Sequence, residues 1–347
     1  MKNKIRVLVV DDSLVFRELI SRGISSDPSI EVVAKAVDPY DARDKIIEFE
    51  PDVMTCDIQM PKMNGIDFVR QLLPQYPLPV IVVSTVSEAV IDAMNVGAVD
   101  FVQKPDTNSK DAITSFIENL TSKVKIAANA KINPMTGKPV QGIAAVKKEK
   151  TYDSKLLNKV IAIGSSTGGT QAITQILKDT PVDIPGIVIV QHIPPGFSKM
   201  FADRLNQITN FTVKEAEPGD IIEPGKVLIA PGDKHMRIKK LGSRYSVVCF
   251  SADKVNGHRP SVDVLFESVA EAYKGNAIGV ILTGMGNDGA RGLLTMKKYG
   301  AKTVGQDKES SIVYGMPRVA YNLGAVEKQV PLDKIPNTLV NLIKSMK

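Results

Sequence analysis

The stretch VIAIGSSTGGT, Val160 to Thr170, sets an apolar run before a loop made only of glycine and hydroxyl residues. Two chemistries compete for such a loop: a phosphate cradle at a helix N-terminus, or a serine exposed on a tight strand-to-helix turn. The spacing speaks against the cradle. A dinucleotide fingerprint starting at Gly164 needs glycine where Ser166 stands, and a P-loop ending at Gly169 needs lysine where Thr170 stands. Gly164, Ser166 and Gly168 do satisfy G-x-S-x-G, which gives Ser166 the central place over its hydroxyl neighbours Ser165 and Thr167. A serine that caps the following helix explains the loop as cheaply, so the motif alone leaves both readings open.

A serine hydroxyl needs a base to become a nucleophile, and the chain holds three histidines: His192, His235 and His258. GIVIVQH puts His192 at the end of the next apolar run, where a strand-helix-strand unit brings it to the same sheet edge as Ser166. His235 follows a Pro-Gly turn and His258 lies in the polar stretch NGHRPS. The third member of a triad is a buried carboxylate that fixes the imidazole tautomer. AIGVILTGMGNDGARG offers Asp288 as its single acid, with a helix cap as the competing role. The chain order Ser, His, Asp differs from that of α/β-hydrolases and indicates a convergent triad on another fold. This chemistry calls for no metal.

A second cluster lies nearer the start. Apolar runs end in Asp11 and Asp12, in Asp57, in Ser84 and in QKP with Lys104. Carboxylates so crowded repel one another unless a cation joins them, and magnesium suits one or two carboxylates plus phosphate oxygens. An aspartate can accept a phosphoryl group, with Lys104 pairing to it and the Ser84 hydroxyl bonding to it. Helix capping accounts for Asp12 alone but not for the whole set.

These residues require sheets that gather strand ends on one edge. IRVLVV, EVVAKAV, DVMTCDI, PVIVVST and DFVQKP alternate with helix-length amphipathic segments, which predicts a parallel, doubly wound sheet ending near Ser122. KVIAIG, GIVIVQH, GKVLIAP, YSVVCF, AIGVILTG and KTVGQD repeat the alternation after residue 157. The expected organisation is an α/β domain over 1–122, a linker over 123–156 and a second α/β domain over 157–347. The linker is rich in lysine, proline and glycine, with a lysine cluster at Lys147 to Lys150.

Composition excludes several classes. A net charge of +6 from 44 basic and 38 acidic residues is a mild excess spread along the chain; with no basic recognition helix, nucleic acid is not implied. A first domain joined to a noncatalytic nucleotide- or DNA-binding module is the rival to an enzyme, and neither phosphate-loop test supports it. No apolar run reaches the roughly 18–20 residues of a membrane span, and Cys56 and Cys249, far apart in apolar surroundings, read as buried thiols in a cytoplasmic protein.

VLVVDDS, DVMTCDIQMPKMNGIDF, VIVVST and VDFVQKP together resemble the receiver domain of bacterial response regulators, a flavodoxin-like fold. The resemblance implies Asp57 as phospho-acceptor, Asp11, Asp12 and Asp57 around Mg2+, Ser84 as switch hydroxyl, Lys104 as phosphate-sensing lysine and Phe101 as aromatic switch. A chemotaxis histidine kinase is the implied donor. IGSSTGGT, VQHIPPGF, APGDKHM, HRPSVDVLF and TGMGNDGARG resemble the Rossmann-like catalytic domain of chemotaxis protein-glutamate methylesterases. That family implies Ser166, His192 and Asp288 as the triad and, as substrate, glutamate γ-methyl esters on methyl-accepting chemoreceptors. It also implies deamidation of receptor glutamines. By analogy, backbone amides near Thr167 or Met285 hold the oxyanion, and His258, Arg259 and Asp263 shape the cleft or serve the fold. Serine at Ser165, where the family commonly has alanine, is the departure.

Overall fold

The computed structural model describes residues 4–85, 89–106, 109–132 and 154–346. The chain divides into two compact units, Met1–Val140 and Gln141–Lys347. Most of the expected linker, 133–153, lies outside the described residues.

The first unit runs β1 (Ile5–Val10), α1 (Leu14–Ile24), β2 (Ile30–Ala36), α2 (Pro39–Phe49), β3 (Val53–Cys56), α3 (Gly65–Leu72), β4 (Val80–Ser84), α4 (Ala89–Asn95), β5 (Asp100–Gln103) and α5 (Lys110–Ala127). Its five parallel strands lie in the order β2-β1-β3-β4-β5, the flavodoxin-like order. Helices cover both faces, so β3 and β4 are buried at every position and read as unbroken apolar runs. Helix α5 passes Ser122 and ends at Ala127, because Phe116, Leu120, Val124 and Ala127 keep one buried face going.

The second unit runs β6 (Val160–Ser165), α6 (Gly169–Asp179), β7 (Gly186–Gln191), α7 (Phe197–Ile208), β8 (Thr212–Glu215), β9 (Lys226–Ile229), β10 (His235–Leu241), β11 (Arg244–Phe250), α8 (Val262–Tyr273), β12 (Ala277–Ile281), α9 (Ala290–Lys298), β13 (Lys302–Gln306), α10 (Met316–Asn322), β14 (Lys328–Val330) and α11 (Ile335–Ser345). Seven parallel strands lie in the order β14-β13-β12-β6-β7-β9-β8. Ile161, Ile163, Val188 and Val190 on the central strands are fully buried, each worth on the order of 1.5–3 kcal/mol. YSVVCF departs from expectation: it forms β11, which pairs antiparallel with β10 as a separate two-stranded hairpin. Only Ser246 and Val247 of this strand are buried and the rest is partly or fully open, which suits a hairpin rather than a strand buried on both sides.

Both thiols are free; burial raises that of Cys56 and pushes that of half-buried Cys249 up to about 11. Among the described residues no helix is long and apolar enough to cross a membrane.

Candidate active site

Strand order brings the second unit's candidates together. β6 lies between β12 and β7, so the turns after these three neighbouring strands carry Ser166, Asp288 and His192 at one carboxyl edge. The chain leaves β6 toward β7 on one side and returns to β12 on the other, making this the place where the strand order reverses.

The glycines of the serine loop each answer a different need. Gly168 adopts φ +77°, a left-handed turn that side chains resist. Gly164 and Gly169 leave space: a Cβ there would lie 2.2 Å from Val262 Cγ1 and 2.1 Å from Gln191 Oε1. The three hydroxyls separate accordingly. Ser165 is fully buried and donates to Gln191 Oε1 at 2.6 Å. Thr167 is buried, and its carbonyl accepts from Thr283 Oγ1. Ser166 is only half-buried. Its backbone N–H donates to Thr283 O at 3.0 Å. The next residue, Gly284, packs so closely that a Cβ would stand 2.6 Å from Ser166 Cβ, which puts the Met285 turn beside the serine.

His192 meets Asp288 through Nε2, 2.8 Å from Oδ2. Its Nδ1 is buried without a hydrogen-bond partner among the described residues. Asp288 also accepts from Ser261 Oγ at 2.7 Å, Asn256 Nδ2 at 2.9 Å and the backbone N–H groups of Val262 and Asp263. Asp288 therefore is a helix cap, but of α8, distant in sequence, rather than of α9 that follows it. Burial alone would raise its pKa; the bonds from His192, Asn256 and Ser261 outweigh burial and hold the carboxyl well below its ordinary range. Asp263, sharing the Asn256 amide, goes the other way: burial first, then the charge of Asp288, raises it. The two acids are thus shifted in opposite directions, and the lowered one is the one that faces the imidazole.

His258 stacks face to face on His192, centroids 3.7 Å apart and planes within 8°. Burial, and then the neighbouring His192, lower its pKa to about 4, so it packs as a neutral ring at neutral pH. Arg259 forks onto Asp233 Oδ1 through Nε and Nη2. His235 lies within the fold, its Nε2 bonded to Asp253 O and its Nδ1 accepting from Ser261 N–H.

In the first unit, Asp11 and Asp12 follow β1 and Asp57 follows β3, again where the strand order reverses. Oxygens of the three acids come within 4.8 Å of one another. Lys104 Nζ answers this charge, 2.5 Å from Asp57 Oδ2 and 2.8 Å from Asp11 Oδ2. Asp11 is nevertheless raised, by burial first and also by Asp57, against the pull of Lys104. Three oxygen donors with too little positive charge suit a hard divalent ion. Ser84 is buried at the end of β4, and its carbonyl accepts from the Lys104 N–H. Phe101 is buried, with Lys123 Nζ 5.3 Å from its ring centroid.

Comparison with known proteins gives the family of each unit. Residues 161–339 match the CheB methylesterase model and residues 7–118 the response regulator receiver domain. The chain belongs to the CheB methylesterase family. It is 53% identical over 343 residues to the protein-glutamate methylesterase/protein-glutamine glutaminase 2 of Syntrophomonas wolfei, covering 99% of each chain. To the protein-glutamate methylesterase/protein-glutamine glutaminase of Syntrophotalea carbinolica it is 48% identical, again over 99% of each. The crystal structure of the Thermotoga maritima CheB methylesterase catalytic domain superposes with TM-score 0.52 at 43% identity, covering 53% of this chain and 98% of that one. CheB methylesterases are ester hydrolases, and the chain is an enzyme of that class with a receiver domain ahead of it.

Within the CheB methylesterase domain, several participants escape a motif search. Asn256 and Ser261 bind Asp288, and Gln191 binds the serine turn, yet none is a residue type that announces catalysis. The available signals were Gln191 beside His192 at a strand end, and Asn256 in the same polar stretch as His258.

Proposed function

We propose that the chain hydrolyses glutamate γ-methyl esters of methyl-accepting chemoreceptors through Ser166, His192 and Asp288, under control of phosphorylation at Asp57. The observation that carries this is the imidazole of His192, tied to a low-pKa carboxylate through Nε2 and left with a free, buried Nδ1 at the sheet edge that bears Ser166. Ser166 Oγ attacks the ester carbonyl carbon while His192 Nδ1 takes its proton. The same nitrogen returns that proton to the departing methoxy oxygen, giving methanol. Water then attacks the acyl-enzyme, its proton passes to Nδ1, and glutamate and the serine hydroxyl are regenerated. Asp288 stabilises the imidazolium of each step, and backbone N–H groups at Thr167 and Met285 hold the oxyanion. With ammonia as leaving group the same steps deamidate glutamine, in keeping with the double names of the relatives.

The domains in this reading are the receiver over 1–122, the linker over 123–156 and the methylesterase over 157–347. A chemotaxis histidine kinase supplies the phosphoryl group in the cytoplasm. Asp11, Asp12 and Asp57 would hold Mg2+, which screens the incoming phosphoryl charge; Lys104 and Ser84 bind the phosphoryl oxygens and Phe101 relays the change. No nucleic acid and no membrane insertion take part.

Methanol release from methylated receptors, with and without phosphodonor, tests both halves. Phosphodonor should speed release, and Ser166→Ala should slow it on the order of 10³-fold or more. Near-normal hydrolysis by that variant would remove the nucleophile assignment; equal rates with and without phosphodonor would remove the control.

A further inference from the structure

Gln191 ends β7, immediately before His192, and is 4% exposed. Its amide is engaged with the serine turn. The carbonyls of Ser166, at 2.9 Å, and of His192, at 3.1 Å, can only accept, so the NH2 group must face them. Oε1 is left for the Ser165 hydroxyl, which donates at 2.6 Å. His192 N–H returns a bond to Ser165 O at 3.1 Å, so the two strand ends are laced in both directions. Gly169 makes room for the amide: a Cβ there would stand 2.1 Å from Oε1 and 2.6 Å from Ser165 Cβ. Both N–H groups are thus committed to main-chain carbonyls and none remains for a substrate.

We propose that Gln191 is a positioning residue for ester hydrolysis: its amide ties the main chain of Ser166 to that of His192 and so fixes Ser166 Oγ relative to His192 Nδ1. This rests on the reading of Ser166 as nucleophile and His192 as base. The main-chain bond at this point, His192 N–H to Ser165 O, reaches only the residue before Ser166, whereas the Gln191 amide joins the Ser166 and His192 carbonyls themselves. A misplacement of about 1 Å between reacting groups costs on the order of 10²-fold in rate. The loss falls on turnover, since the amide offers nothing to the bound ester.

The test uses the full-length chain with acetyl phosphate as phosphodonor and p-nitrophenyl acetate as ester, with melting followed for every variant. Gln191→Glu keeps the shape and an acceptor toward Ser165 but removes both N–H donations. Its kcat should fall roughly 10²-fold, with KM moving less than about threefold. Gln191→Leu should lose at least as much, and if it does not fold, Gln191→Glu decides. A folded variant turning over within about threefold of the parent overturns the proposal, as does a loss confined to KM. Ser166→Ala, run alongside, separates the two ideas. Normal hydrolysis in that chain removes the nucleophile and with it the proposal, whereas normal hydrolysis in Gln191→Glu alone removes only the proposal.

Discussion

Asp57 of the receiver and Asp288 of the methylesterase domain both follow an apolar parallel strand beside the point where the strand order reverses. Their surroundings differ in kind. Around Asp57 stand two further acids and one lysine, with the Ile58 N–H donating to its Oδ1 at 2.7 Å, so negative charge remains in excess. Around Asp288 a hydroxyl, an amide, two backbone N–H groups and one imidazole nitrogen converge. Burial first, and Asp57 with it, raises Asp11 against the pull of Lys104, while the donors around Asp288 outweigh its burial and lower it. The same topology thus makes two opposite settings: one in which acids outnumber the lysine, the other a carboxylate ringed by donors. Topology supplies the meeting place, and the donors that arrive there decide the chemistry.

The contrast breaks most sharply at Asp288. Asp288→Asn keeps the shape but reverses a hydrogen-bond role and favours the wrong imidazole tautomer, so kcat for the ester should fall on the order of 10⁴-fold. A much smaller loss in steady-state kinetics would mean that the imidazole is oriented by the His258 stack alone. Ser165→Ala probes the neutral-donor network more gently. It leaves Gln191 Oε1 buried without a donor, which should lower unfolding stability by about 1–3 kcal/mol in urea titration. Turnover should fall less than roughly tenfold if, as proposed, Ser166 is the attacking group.

The smallest effect expected is a difference in pH trend between the units. An acid with lowered folded pKa stabilises above its unfolded value of 3.8, and that stability is lost as pH falls through the folded pKa: this is Asp288. An acid with raised folded pKa does the reverse, costing stability as pH rises above 3.8: this is Asp11. Amide hydrogen exchange read separately for the two units should show Asp11→Asn protecting the receiver at neutral pH and leaving the methylesterase domain unchanged. A loss of receiver protection would mean that Lys104 needs Asp11 more than Asp57 repels it.

Much of this was legible in the chain. Strand and helix alternation pointed to two α/β units because periodicity is local. YSVVCF was misplaced in the main sheet because a short β-branched run does not say which strand it pairs with. The linker falls in residues the structure mostly does not describe.

By itself the sequence determined the candidates: a G-x-S-x-G loop, three histidines and a lone acid after an apolar run. Only the tertiary structure set their surroundings. It buried Ser165 against Gln191 and left Ser166 more open. It gave Asp288 to Nε2 of His192, stacked His258 on that ring, and recruited Asn256, Ser261 and the N-terminus of α8. The physical reason is that hydrogen bonds across neighbouring strand ends join residues far apart in the chain. Their partners are fixed by strand order and packing, which no local pattern of residue types records.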